Sequence, residues 1–166
     1  LPPSLTMQNF TLVLGANNTA TLTAPDVVVA TSDNCSAPSL TLGQSVFDCS
    51  NVGNNEVQVT ARDAEGNSVT FATNVIVEDN TPPTVITQNV TLTLNTNGQA
   101  TITANDIDGG SSDNCAIASI TANQTTFTCA DLGANNVVLS VTDVSGNTTT
   151  DIATVTVNDQ PMTAIV

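Results

Sequence analysis

With 15 acids set against one base, Arg62, this 166-residue chain carries a net charge of −14, which electrostatically opposes a nucleic-acid backbone or an anionic membrane surface and favours hard divalent cations. It contains no histidine and no lysine, which removes imidazole acid/base chemistry, most zinc sites and Schiff-base or isopeptide lysines. The 40% hydrophobic content is enough for a buried core, but that core is aliphatic: Trp and Tyr are absent, and Phe10, Phe47, Phe71 and Phe127 are the only aromatics, too few for a sugar-cleaving cleft.

From its first residue the chain repeats itself. "LPPSLTMQNFTLVLGANNTATLTAPDV" falls on "TPPTVITQNVTLTLNTNGQATITANDI" at an offset of 80 with no gap, and 32 of 80 aligned positions are identical. This predicts tandem repeats at 1–80 and 81–160. The tail "NDQPMTAIV" resembles "EDNTPPTVI" with one residue deleted, so 161–166 is read as the start of a further repeat. No stretch approaches 18 consecutive apolar residues and no signal peptide opens the chain; the expectation is a soluble piece of a longer or processed protein without direct membrane insertion.

Along the second copy the apolar period is two. Val90, Leu92 and Leu94 alternate with Thr91 and Thr93, Asn97-Gly98 turns the chain, and Ala100, Ile102 and Ala104 resume the alternation. Strands follow at Ile117–Thr121, Thr125–Cys129, Asn136–Thr142 and Thr148–Val157, the last two flanking "DVSGN". Threonine and valine supply the β-branched side chains of a pleated surface. Roughly seven short strands per repeat predict an all-β fold, two tandem Ig-like antiparallel β-sandwiches end to end.

The cysteines recur with the repeat: Cys35 and Cys49, then Cys115 and Cys129, each pair 14 apart. One disulfide within each repeat is the simplest reading, because pairing across copies would break the symmetry. It would close a 15-residue loop for roughly 3 kcal/mol and imply an oxidising, extracytoplasmic setting. Four thiolates on a metal would want closer spacing.

Aspartate also recurs, at Asp26 and Asp106, Asp33 and Asp113, Asp63 and Asp143, and Asp79 and Asp159, each in a predicted loop. In an Ig-like topology the loop after the second strand, with Asp106, Asp108 and Asp113, and the last hairpin loop, with Asp143, lie at the end where the chain enters. They would face the linker acids Glu78 and Asp79. Asp26, Asp33 and Asp63 would form the equivalent joint of the first repeat, and Asp159 the joint to a following one. Carboxylates about 6 Å apart repel by roughly 3 kcal/mol at an effective dielectric of 20, so a cation is expected to neutralise them, and calcium fits best. The competing reading is structural: Asp63 in "DAEGN" and Asp143 in "DVSGN" can cap turns, and "SDNC" at Ser32 and Ser112 can be an Asx-type turn.

Between the copies, Pro82 and Pro83 fix φ and force Thr81 to be extended, so the linker "VEDNTPPTVI" reads as stiff. N-x-S/T sequons at Asn9, Asn17, Asn34, Asn89, Asn123 and Asn147 are frequent by chance in a chain so rich in Asn and Thr.

At "EDNTPP", "SSDNCAIASIT", "TFTCADLGANNV" and "TDVSGNTTT" the second copy resembles the HYR-type, Ig-like tandem repeats of very large secreted surface proteins of gliding Bacteroidota, gliding-motility adhesins of the SprB type among them. Animal HYR domains share D-x-S-G-N before the last strand but usually carry a further cysteine there, absent here. The resemblance implies export by the type IX system and a stalk or filament that holds an adhesive tip away from the cell.

The expected function is therefore non-enzymatic: a structural, extracellular repeat of a cell-surface adhesin, whose modules of about 35 to 40 Å add reach in series. Its expected partners are neighbouring repeats, with a surface or glycan ligand bound elsewhere in the parent protein. The alternative is a ligand- or glycan-binding module of an adhesin or secreted enzyme, for which an exposed aromatic platform would be the signal.

Overall fold

A computed structural model describes residues 1–160, and the expected beginning of a further repeat at 161–166 lies outside them. The chain is all-β and divides into two compact units, Leu1–Thr81 and a second beginning at Pro82. No helix among the described residues is long and apolar enough to cross a membrane.

The first unit begins with β1 (Ser4–Met7) and β2 (Phe10–Val13), then turns into β3 (Thr19–Thr21). One helical turn, α1 (Ala24–Val27), separates β3 from β4 (Val28–Ser32). The short β5 (Ser39–Leu42) and β6 (Val46–Asp48) precede a 3-10 turn at Cys49–Asn51 and the long hairpin of β7 (Gly53–Arg62) and β8 (Ser68–Glu78). One layer is the sheet β2-β8-β7-β5, in which β2 runs parallel to β8 and the other pairs are antiparallel. Two ladders, β1 with β4 and β3 with β6, supply the other strands.

The second unit repeats this plan with β9 (Val90–Thr93), β10 (Gln99–Thr101), β11 (Ile117–Ala122), β12 (Thr126–Thr128), β13 (Gly133–Asp143) and β14 (Thr148–Asn158). Its sheet is β11-β13-β14-β9, again with one parallel pair, β14 with β9. The first ladder shrinks to isolated bridges, Thr84 to Ser112 and Thr87 to Asp108, 80 positions on from Ser4 to Ser32 and Met7 to Val28. Its middle is lost where Val28-Val29-Ala30 becomes Asp108-Gly109-Gly110, with Gly110 at φ +104°.

Alternation builds both cores. On β7 the inward Val57, Val59 and Ala61 are buried while Glu56 and Gln58 face out; Val137, Leu139 and Val141 do the same on β13. Phe47 and Phe127 fill equivalent positions, both fully buried, each stabilising by roughly 1.5–3 kcal/mol. Leu22 and Ile102, or Val27 and Ile107, are conservative exchanges at matching core sites. The repeat holds the core by size and hydrophobicity rather than identity.

Two predicted details differ. The alternation read through Ala104 stops at Thr101, because Ala104–Asp106 winds into a 3-10 turn capped by its own Asp106. Thr125–Cys129 is a strand only over Thr126–Thr128, Cys129 opening another such turn.

The predicted disulfides within each repeat, Cys35 with Cys49 and Cys115 with Cys129, are not formed. Cys35 and Cys129 are exposed free thiols, whereas Cys49 and Cys115 are each oxidised. Topology gives the reason. Cys35 follows β4, at the end of the unit where Ser32 pairs with Ser4 and Arg62 with Ser39. Cys49 follows β6, whose Asp48 pairs with Thr19, beside the start of β7 at Gly53. The nine steps of β7 between those ends span about 30 Å at about 3.3 Å each, whereas a disulfide needs Cα atoms within about 4.4–6.8 Å. The same separation holds in the second unit, where Cys129 Sγ lies 3.9 Å from the Gly98 carbonyl oxygen, in the turn before β10.

Candidate metal centre

In the first unit, three acids converge at the end where the chain enters. Asp33 comes from the bend after β4; Asp63 and Glu65 come from the turn joining β7 to β8, and carboxylate oxygens of all three lie within 4.8 Å of one another. The turn forms because Gly66 accepts φ +93°, its N–H donating to the Asp63 carbonyl at 3.3 Å. Asn67 grips the Asp63 carboxylate twice, its backbone N–H donating to Oδ1 at 2.7 Å and its side-chain amide to Oδ2 at 2.8 Å. The Asn67 side chain leads in holding the Asp63 carboxyl below its ordinary range, against the opposing effect of burial; the backbone N–H groups of Asn67 and Gly66 and the N-terminal ammonium add to the lowering. Asp33 Oδ2 accepts from the Cys35 N–H at 3.1 Å, in the Asx-type turn that "SDNC" suggested. Its Oδ1 is buried and has no hydrogen-bond partner among the described residues.

The second unit reproduces the pair. Asp113 and Asp143 bring carboxylate oxygens within the same 4.8 Å, and Asp113 Oδ1 is likewise buried and without a partner. Asp113 Oδ2 accepts from the N–H groups of Cys115 at 2.9 Å and Ala116 at 3.2 Å, while Asp143 accepts from Ser145 N–H at 2.9 Å and from Asn147 as Asp63 does from Asn67. A backbone bond from Val144 N–H to the Ala116 carbonyl, 3.0 Å, ties the two loops together. Ser145 stands where Glu65 stands in the first unit. Glu65 escaped the sequence reading for that reason: recurrence was the filter, and this acid occurs once.

Other expected ligands sit elsewhere. Asp26 and Asp106 lie inside their repeats, each accepting through Oδ2 from the N–H and Oγ of the threonine three residues earlier: Thr23 at 2.7 and 2.8 Å, and Thr103 at 2.6 and 2.8 Å. Those bonds, the Thr103 N–H first, hold the Asp106 carboxyl low. Asp108 is occupied by Ser111, whose N–H donates at 2.9 Å and whose hydroxyl also donates, and this hydroxyl chiefly lowers its pKa. These three acids serve their own loops.

Of the acids around the linker, Asp79 is 3% exposed and accepts from the Thr81 N–H at 3.1 Å, a short turn that sets up the extended residue before Pro82. Glu78 is exposed and accepts from the Asn80 side chain at 3.2 Å. Asp159 is exposed and accepts from Gln160 N–H at 2.8 Å.

Each acid pair therefore joins oxygen donors that are already aimed to a pair of lone-pair sites left over. Asp63 and Asn67 make one bond per oxygen, leaving further acceptor capacity on both. The arrangement can take a hard cation. No aromatic platform for sugar accompanies it: Phe71, 47% exposed on β8, has Asp151 as its counterpart.

No family model and no curated protein matches the chain. Among solved structures, Drosophila N-cadherin EC1-4 aligns over 97% of this chain and 50% of its own length at 13% identity, with a TM-score of 0.51. The fold is that of tandem cadherin-like, Ig-like sandwiches. Human protocadherin-24 EC1-2 (12% identity, 97% and 100% covered, TM-score 0.48) and human mucin-like protocadherin EC1-2 (13%, 95% and 98%, 0.47) align less well in space. The chain spans half of the N-cadherin fragment, and at these identities the likeness concerns architecture alone.

Proposed function

We propose that this chain is a non-enzymatic, extracellular spacer from a cell-surface adhesin, built of repeats in series that bind calcium through acids at their entry ends. Asp33, Asp63 and Glu65 hold the ion in the first repeat. Asp113 and Asp143 do so in the second, where chain order makes Glu78 and Asp79 the candidates to complete the ligand set; Asp159 would serve a following repeat in the same way. The sequence resemblance to HYR-type repeats supports reading such a spacer as part of an adhesive or gliding filament, and Pro82-Pro83 limits the conformations of its linker.

The observation that carries this reading is the buried, unpartnered Oδ1 of Asp33 and, 80 residues on, of Asp113, each beside a second carboxylate. A buried carboxylate oxygen without a donor is costly unless a cation supplies the missing contact. Calcium, with six to eight oxygen ligands and extracellular affinities of about 0.1 to 1 mM, suits such a site.

Calorimetric titration of the chelator-stripped chain with calcium tests it. Binding in the submillimolar to millimolar range is expected, with a rise in unfolding free energy of about 1.4 kcal/mol at ten times the dissociation constant. Asp33→Asn and Asp113→Asn should each weaken one site about tenfold while leaving the metal-free stability nearly unchanged. Absence of both heat and stabilisation at 10 mM calcium would sink the proposal.

A further inference from the structure

One asparagine stands apart from the rest in a way the spacer reading does not use. Asn97-Gly98 is the only Asn-Gly step in the chain. Asn97 is exposed in the turn between β9 and β10, and its side chain makes no hydrogen bond among the described residues. Its backbone N–H donates to Asn95 Oδ1 at 2.9 Å, and the following N–H, that of Gly98, donates to the Asn95 carbonyl at 2.9 Å. Because glycine has no Cβ, the Gly98 nitrogen can be approached closely once that single turn bond opens.

We propose that Asn97 is a site of spontaneous deamidation, through which the second repeat acquires an aspartate or isoaspartate, and one more negative charge, with time. The Gly98 backbone nitrogen attacks Cγ of Asn97 and gives up its proton. The bond from Cγ to Nδ2 breaks, Nδ2 leaves with that proton as ammonia, and a cyclic imide remains. Water then opens the ring: breaking the new bond to Cγ gives aspartate, and breaking the original peptide bond gives isoaspartate. One amide and one water become one acid and one ammonia, with neither oxidant nor enzyme. The reaction runs from the fraction of molecules in which this exposed turn has opened locally.

The comparable steps are guarded. At the matching position of the first repeat, Asn17 is followed by Asn18, whose Cβ crowds the attacking nitrogen. Asn67 and Asn147, each followed by a hydroxyl residue, are clamped to Asp63 and Asp143 through both backbone N–H and side-chain amide. The Asp108 carboxyl, which precedes Gly109, is held by the Ser111 hydroxyl and N–H; these lower its pKa and keep it ionised, a poor electrophile. At Asn97 the product changes a turn that sets register, since Gln99, Ala100 and Thr101 pair with Thr128, Phe127 and Thr126 directly after it. An isoaspartate lengthens the backbone there by one methylene, next to the Gly98 carbonyl that lies 3.9 Å from Cys129 Sγ.

The intact chain, warmed for weeks in mildly alkaline buffer, is followed by charge-resolved electrophoresis, by tandem mass spectrometry of Asp-N peptides and by enzymatic methylation of isoaspartate. The expected result is a more acidic species whose mass gain, from amide to acid, maps to position 97, forming about tenfold faster there than at Asn17 and faster again when urea opens the turn. Asn97→Gln, whose side chain has no bond to lose, should keep the urea midpoint of the parent and abolish the acidic species. An intact chain unchanged at Asn97 by the time a control peptide of residues 94–102 has converted fully would overturn the proposal. So would conversion at Asn17 or Asn67 as fast as at Asn97.

Discussion

Asn18 and Gly98 occupy the same turn in successive units with nearly the same backbone angle, φ 70° and 72°. Each donates its N–H to the residue three earlier, Gly15 or Asn95, at 2.9 Å, and so starts β3 or β10. Asparagine tolerates the left-handed region better than other side chains, and glycine meets no penalty there. At Gly98 a second constraint acts, since an added Cβ would lie 2.9 Å from Cys129 Sγ.

Gly98→Ala should therefore destabilise the second unit by about 1–2 kcal/mol, the cost of a left-handed non-glycine residue. Urea denaturation measures it. Cys129→Ala in the same chain should recover part of the loss by clearing the space; no recovery would assign the whole cost to backbone angle.

Phe127 is fully buried and Phe71 is 47% exposed. Phe127→Ala should cost about 3–5 kcal/mol, whereas Phe71→Ala should stay within about 1 kcal/mol. Equal losses in chemical unfolding would contradict the core assigned to β12 and β13.

Asp143 is 1% exposed and accepts from Ser145 and Asn147. Asp143→Ala leaves those donors unsatisfied and should destabilise by roughly 1–3 kcal/mol, calcium or no calcium. Asp143→Asn keeps the shape but should lose calcium affinity. If the alanine variant is as stable as the parent in chelator, the carboxylate does not hold its turn.

Acid should weaken the fold. Asp48, Asp63, Asp106, Asp108 and Asp131 all have folded pKa values below the ordinary 3.8, each led by hydrogen bonds from its own loop: Ser50 for Asp48, Asn67 for Asp63, the Thr103 N–H for Asp106, Ser111 for Asp108 and the Thr128 N–H for Asp131. Groups lowered on folding contribute stability that is fully present above about pH 4–5 and is lost as pH falls through their folded values. Protonation also relieves the self-repulsion of a chain at −14, which acts the other way. At high salt, where repulsion is screened, the urea midpoint should fall steadily from pH 5 to pH 2.5; a flat or rising midpoint would show that these bonds contribute nothing.

Much of the fold was legible because period-two alternation and a gap-free repeat are local signals. Val137, Leu139 and Val141 announce their burial in sequence, and Asn97-Gly98 announces its turn. Cysteine pairing was not legible, because a spacing of 14 is silent on whether the chain doubles back between the two residues or, as here, carries them to opposite ends. Recurrence misled at the acids too. Asp106 recurs with Asp26 because both cap a turn with Thr103 or Thr23, whereas Glu65, beside Asp63, has no counterpart and was passed over.

The parallel pairing of β2 with β8 has a mechanical consequence. The strand near the beginning of the unit and the strand that leads out of it lie side by side over four matched positions, Phe10 with Val75 through Val13 with Glu78, and β9 with β14 repeats the arrangement. Tension applied at the two ends of a unit draws these neighbours past one another along their length. Their hydrogen bonds then bear load together and must break nearly at once, instead of opening singly from one end as a zipper does.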